Sequence, residues 1–304
     1  MRGLANFIMA GRLQAVTAAV GFAVLALFLP PASLLSGAVV ALVTLRLGLG
    51  AGLTIAALGM AALVAMGAVT GLGPQFGVLI GLAQWLAPLV FAEVLRRTVS
   101  WRLTLQGLLM ATVLLVSMAH LMWPEQAVFW RSLLEQFMAP GLAEGGLTPT
   151  QIEEALEGIA GVMGGIIGLS LMLSTTLALI IGRYWQAALY NPGGFGEEFR
   201  ELRLGLWPAG LALGLIIAAM LAHSPLVGQL ALVVVAMFIF QGLALVHGLA
   251  RLFKWHAGWL VALYVLLVLP PFSPYAVAMI TAFGVIDSFA DFRARVGAAP
   301  RDDE

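Results

Sequence analysis

Cysteine is absent from the 304 residues, so neither a disulfide framework nor thiol chemistry is open to this chain. Charge is scarce as well: Asp, Glu, Lys and Arg make up 10% of the residues, against about 25% in an ordinary soluble domain. Neither sign is in excess, fifteen Lys+Arg facing fifteen Asp+Glu, which removes the basic surplus that nucleic-acid binding requires. No H-E-x-x-H, G-x-S-x-G or G-x-x-x-x-G-K occurs, so the common hydrolase and nucleotide-binding arrangements are missing. What remains is apolar. Such side chains form 62% of the sequence, and the mean hydropathy is +1.02. A water-soluble core of this length cannot hide that much, and disorder is excluded by the same figure. The composition predicts an all-α, polytopic transmembrane helix bundle whose chief partner is the lipid bilayer.

A helix needs about 20 mostly apolar residues to cross the hydrocarbon core. Ten stretches approach that length: 13–29, 32–45, 48–69, 76–95, 103–123, 159–181, 204–222, 226–249, 257–269 and 275–289. The second and ninth are short enough to be re-entrant or tilted, so the expected count is eight to ten spans. With the N-terminus in the cytoplasm, ten spans place every Lys and Arg except Arg131 on the inner side, from Arg2, Arg12 and Arg46 to Arg293, Arg295 and Arg301. That agreement with the positive-inside rule predicts that both termini are cytoplasmic. Arg2 and Arg12 precede an apolar run that ends in Leu29-Pro30-Pro31 without an A-x-A site, which reads as an uncleaved anchor. The resulting organisation is a five-span half over 1–123, an extracytoplasmic segment over 124–158, and a second five-span half over 159–304.

Two segments are more than turns. In 124–158, Ala127, Val128, Trp130, Leu133, Leu134, Phe137 and Met138 recur at helical spacing, with Gln126, Arg131, Ser132, Glu135 and Gln136 opposite. This predicts an amphipathic helix at the outer boundary, ended by Ala139-Pro140-Gly141. Thr148, Pro149 and Gln151 then form a capping signature, with Glu153, Glu154 and Glu157 near the positive helix end. No proline follows before Arg183, which predicts one helix of about 50 Å. On the inner side, the cytoplasmic loop 183–203 holds Asn191, Pro192, Gly193 and Gly194 as a turn. Phe195, Phe199 and Leu202 follow on one helical face. The loop is either an elbow between halves or a docking site for a partner.

Ionisable groups within spans are functional candidates by default, and here they are Glu93, Asp287, His120 and His247. Glu93 has Arg96 and Arg97 within one helical turn, and Asp287 has Arg293 close by, so local ion pairs account for both. No span carries a central Asp, Glu, Lys or Arg, which disfavours proton-coupled carriers and ion pumps. The histidines His120, His223, His247 and His256 fall on both sides of the membrane, so no metal site and no cofactor is expected. Gln84, Gln229 and Gln241 are the deep polar groups and the expected lining of a solute cavity. Ser170, Ser174, Thr175 and Thr176 are expected to bond to carbonyls of their own helix. Small-residue stripes at Ala15, Ala19 and Ala23, and at Gly161, Gly165 and Gly168 with Gly164, predict close helix packing within the chain or against another protein.

The opening LANFIMAGRLQAV, the span pattern and above all LYNPGGFGEEFRELRLG resemble the YybS-like family of bacterial integral membrane proteins, which is defined by a domain of unknown function. That family is remotely similar to the substrate-binding S components of energy-coupling-factor transporters. The resemblance implies a non-enzymatic, transport-related bundle that binds a small, neutral or amphiphilic solute, with Ala15, Ala19 and Ala23 matching the stripe by which S components meet a coupling subunit. The alternative is a membrane scaffold that recruits envelope or cytoplasmic partners through the 183–203 loop and the small-residue stripes, with oligomerisation as a further use of those stripes.

Overall fold

The computed structural model describes residues 2–222 and 224–298; His223 and Arg301, which enter the arguments above, lie outside the described residues. In chain order the helices are α1 (Arg2–Met9), α2 (Arg12–Leu25), α3 (Ala32–Leu47), α4 (Leu49–Thr70), α5 (Pro74–Gly81), α6 (Ala87–Thr98), α7 (Trp101–Met122), α8 (Gln126–Glu144), α9 (Pro149–Tyr190), α10 (Gly194–Arg200), α11 (Leu206–Ala222), α12 (Pro225–Leu252), α13 (Ala257–Val268), α14 (Ser273–Ala290) and α15 (Phe292–Ala298). A π-helical turn, Leu82–Leu86, joins α5 to α6 into one rod, Pro74–Thr98. Among the described residues there is no strand.

Each of the ten expected stretches falls on a helix. Six of these are long and apolar enough to cross a bilayer: α4, the α5–α6 rod, α7, α9, α12 and α14. The protein is therefore an apolar, all-helical integral membrane bundle. The other four, α2, α3, α11 and α13, have 14, 16, 17 and 12 residues. At 1.5 Å per residue they reach only about 18–26 Å against a hydrocarbon core of about 30 Å.

The chain divides into two compact units, Met1–Leu108 with Leu171–Arg203, and Leu109–Ser170 with Leu204–Glu304. The division runs through α7 and α9, not at residues 123 and 158. In the first unit α3 is the centre. It is apolar all round and buried from Ser36 to Leu45 without a break, as expected of a helix with neighbours on every side. Its shortness therefore goes with a core position. The alanine stripe of α2 packs inward: Ala15, Ala19 and Ala23 are 2%, 0% and 1% exposed.

In the second unit α12 and α14 meet backbone to backbone. A Cβ on Gly284 would fall 2.9 Å from the amide nitrogen of Gly242. The glycine stripe of α9 faces α12 and α7: a Cβ on Gly165 would lie 2.8 Å from the Cα of Gln229, and one on Gly168 would press on Val116, Thr112 and Val233. The alanine stripe and Gly165 and Gly168 thus pack within their own units, whereas Gly161, expected in the same stripe, has open space where a Cβ would stand.

Local details correct several expectations. Pro140 does not end α8, which continues to Glu144. Gln126, expected on a solvated face, is buried, its amide nitrogen 3.5 Å from Nδ1 of His120. Elsewhere on α8 the expected apolar and polar faces are exposed alike, Val128, Leu133 and Phe137 as much as Ser132, Glu135 and Gln136. The capping box of α9 forms as read: the Thr148 amide donates to Oε1 of Gln151 at 2.9 Å, and the Gln151 amide donates to Oγ1 of Thr148 at 3.4 Å. That helix runs on to Tyr190, 42 residues or about 63 Å. Glu153 in its first turns binds Arg131 at 2.8 Å, which holds the guanidinium more firmly protonated than usual.

Candidate functional site

The α5–α6 rod carries Pro88 in the middle of an apolar run. Proline has no N–H to give the carbonyl four residues back, here that of Gln84, and its ring crowds the same place. The chain accommodates this by widening into the π turn Leu82–Leu86 immediately before it. Such turns are rare and gather at functional sites. On the facing helix, a Cβ at Gly37 would lie 3.2 Å from the Gln84 carbonyl oxygen and 3.2 Å from the Pro88 ring. Glycine at 37 is what lets α3 approach the irregular turn.

Beside this turn lies a cavity of about 200 Å³ within the first unit. Ser33, Gln84, Ser174 and Thr175 supply its polar groups, and Gly37, Ala83, Pro88 and Ala178 its apolar wall. The hydrogen-bond accounting is uneven. Ser33 donates its hydroxyl to the Pro30 carbonyl at 2.7 Å, and Ser174 donates to the Leu171 carbonyl at 3.1 Å. Oε1 of Gln84 and Oγ1 of Thr175 are buried and meet no partner among the described residues. Thr44, Thr54, Thr70, Thr98, Thr104 and Thr176 each donate to the carbonyl four residues back, at 2.8–2.9 Å, and Thr175 does not. For Thr175 that carbonyl is Leu171, already engaged by Ser174. A buried hydroxyl left unpaired costs about 1–3 kcal/mol.

Its depth follows from helix arithmetic. Thr175 precedes Arg183 on α9 by about 12 Å, and Gln84 precedes Arg96 on the rod by about 18 Å. Half of the hydrocarbon core is about 15 Å.

The other two glutamines of the expected lining lie elsewhere. Gln229 belongs to the second unit, where its amide nitrogen donates to the Gly161 carbonyl at 2.8 Å and its buried Oε1 meets no described partner. Gln241, on the same helix, is fully engaged: it accepts from the Leu204 amide at 2.8 Å and donates to Asp287 at 3.2 Å and Ser288 at 3.0 Å. Neither lines the Gln84 cavity. Glu93 binds Arg97 at 2.6 Å and Arg96 at 3.6 Å, and Asp287 binds Arg293 at 2.7 Å, as their spacings suggest. His247 has the Leu243 carbonyl at 2.8 Å and the Tyr264 hydroxyl at 3.3 Å, and His256 caps α13. Among the described residues no group of His, Cys, Asp or Glu could hold a metal ion.

The residues of the 183–203 loop fold back on their own unit. Asn191, Pro192 and Gly193 make the exposed turn. α10 then lays Phe195 against Trp101 at 6.2 Å and Tyr184 at 6.3 Å between ring centres, with Phe199 at 5.8 Å. Glu198 binds Arg183 and accepts from the Trp101 indole at 3.3 Å.

A larger hollow of about 500 Å³ lies in the second unit between α11, α12 and α14. Among the described residues Thr281 is the only polar side chain on its wall, which otherwise consists of residues such as Leu213, Ile216, Val235 and Val285. Nothing there would orient a polar solute, so size does not make it the better candidate.

No protein-family model, curated protein or solved structure matches the chain. The site must therefore be read from its own chemistry. Of its polar groups, Gln84 was reachable from its type and depth. Ser174 and Thr175 stood out only as residues expected to bond within their helix, which Ser170, Ser174 and Thr176 do and Thr175 does not. Ser33 carried no signal in the sequence, since it reaches the cavity from α3 only once the helices pack.

Proposed function

We propose that the chain is a multi-pass protein of the bacterial cytoplasmic membrane, with both termini inside, and a transport-related bundle without enzymatic activity that binds a small solute. The unpaired Thr175 hydroxyl, 1% exposed and beside Gln84 in a cavity at mid-helix depth, is the observation that carries this reading. A polar pocket among lipid-immersed helices has a cost unless something uses it. The likeness to the YybS-like family, and through it to S components, points the same way. The alanine stripe supports a bundle interior more than a coupling-subunit contact, because helices of its own unit cover it.

The scaffold reading draws on the 183–203 loop and the small-residue stripes. Phe195, the alanine stripe, and Gly165 and Gly168 lie against neighbours within their units, which leaves that reading the weaker one.

Thermal unfolding of the purified protein in detergent, against a panel of vitamins, metabolites and salts, tests the proposal. At least one member should raise the midpoint saturably, and Thr175→Val should lose the effect. A flat response across the panel would overturn it.

A further inference from the structure

Resting on that reading of the cavity, we infer that its ligand is a compact monovalent cation of the alkali-metal or ammonium type. The hydroxyl hydrogens of Ser33 and Ser174 point away from the cavity in the bonding sense, spent on the Pro30 and Leu171 carbonyls. What those two oxygens offer inward is lone pairs. Oε1 of Gln84 and Oγ1 of Thr175, both unpartnered among the described residues, complete a set of uncharged oxygens. Neutral oxygens lining one cavity can replace part of the hydration shell of a monovalent ion, as carbonyl oxygens do in selectivity filters and in the broken helices of carriers.

The alternatives fail on named grounds. No Lys, Arg or His lines the cavity, so an anion has no counter-charge. No Asp or Glu lines it either, and divalent cations hold their water too tightly to exchange it for neutral ligands alone. The volume of about 200 Å³ falls below the roughly 300–1,000 Å³ of sites for drug-sized organic molecules. At about 30 Å³ per water, it has room for one ion with a partial hydration shell. Glu93 and Asp287, the buried carboxylates within spans, are held by Arg97 and Arg293 and neither lines the cavity, so the site has no carboxylate to couple to a proton.

The test is thermal unfolding of the full chain in lipid nanodiscs, titrated with sodium, potassium and ammonium chloride at constant ionic strength set by choline chloride. At least one of the three should stabilise saturably, and their order separates alkali ions from ammonium. Thr175→Val, which keeps the shape and removes one oxygen, should weaken the apparent affinity about tenfold or more. Thr175→Ser should restore it, and magnesium should not compete. If the valine variant does not fold, Ser174→Ala read by rubidium-86 or sodium-22 binding takes its place, with the same expected loss. Equal responses to choline and to all three cations, or an unchanged affinity in the variants, would overturn the inference. A neutral solute that binds in choline alone and is lost in Thr175→Val would overturn the cation while sparing the solute-binding reading. A saturable cation site without cation flux in proteoliposomes would spare the cation and overturn the transport role.

Discussion

The indole of Trp85 donates to the hydroxyl of Ser36 at 2.9 Å, and Ser36 passes its own hydrogen to the Ala19 carbonyl at 2.7 Å. Trp85 is 1% exposed and Ser36 0%. Three elements are thereby tied together at one depth: the π turn, the central helix α3, and the alanine-lined α2. The relay fixes the turn that forms one wall of the candidate site, so packing and site share this contact.

Ser36→Ala should therefore do more than remove a hydroxyl. It leaves the Trp85 N–H without its acceptor in a dry interior, at a cost of about 1–2 kcal/mol given the range for interhelical hydrogen bonds in membranes. Trp85→Phe in the same background should add little hydrogen-bonding loss, because the donor has gone with the acceptor. Reversible unfolding in mixed micelles measures both, and additive losses in the double variant would show that the relay does not act as a unit.

The glycines of α9 predict a contrast that sequence spacing cannot make. Gly161 and Gly165 belong to one four-residue stripe, yet a Cβ at Gly161 meets nothing within 4 Å and one at Gly165 lies 2.8 Å from the Gln229 backbone. Gly161→Ala should be neutral or stabilising by about 0.5–1 kcal/mol through helix propensity. Gly165→Ala should destabilise by about 1–3 kcal/mol, since backbone cannot move aside as a flexible side chain can. Gly242→Ala, which drives a Cβ into the Ile280 carbonyl, belongs with Gly165. Thermal midpoints of the three variants decide the matter, and a similar loss at Gly161 and Gly165 would contradict the packing.

How much of this was legible follows from the range of each interaction. The helices were, because an apolar run long enough to span a membrane is local information. So were the Thr148–Gln151 cap and the Glu93–Arg97 pair, which lie three and four residues apart. The approach of Gly242 to Gly284 joins separate helices, and nothing in either helix alone announces the other. The site shows the same limit. Gln84 was identified by type, but Ser33 and Thr175 reach it from α3 and α9, so its partners were invisible until the helices packed. Gln229 and Gln241 were chosen by the same rule, and their neighbours turned out to be Gly161, and Leu204, Asp287 and Ser288. Pro88 was visible in the sequence; that the rod would absorb it by a π turn and keep running was not.

Asp287 and Arg293 form a pair whose side chains are 0% and 9% exposed. Asp287 also accepts from Gln241 and from the Phe292 amide, where it anchors the start of α15. Replacing one member of a buried pair is severe because the other keeps its desolvated charge, typically about 3–5 kcal/mol. Asp287→Asn should cost at least about 2 kcal/mol, the retained amide offsetting part of the loss. Asp287→Asn with Arg293→Gln should recover a measurable share. Denaturant titration of single and double variants tests this, and a double variant no better than the worse single would count against a dominant charge pairing.

The cysteine-free sequence makes the membrane topology directly measurable, since each introduced thiol is the only one present. Asn191 lies in the exposed turn before α10, and Phe137 on α8 is 72% exposed. In the proposed topology, which puts all basic residues but Arg131 on the cytoplasmic side, these two positions belong to opposite faces of the membrane. In intact cells, a membrane-impermeant maleimide should label Phe137→Cys and spare Asn191→Cys; after permeabilisation both should react. Arg2→Cys should behave as Asn191→Cys does, because the charge distribution puts the N-terminus on the same side as the loop. Labelling of Asn191→Cys and Phe137→Cys from the same side would mean an even number of crossings between 137 and 191. The single 42-residue helix α9 offers only one crossing there, so that result would remove the inner-facing assignment of the arginines, and with it the mid-depth placement of the Gln84–Thr175 cavity.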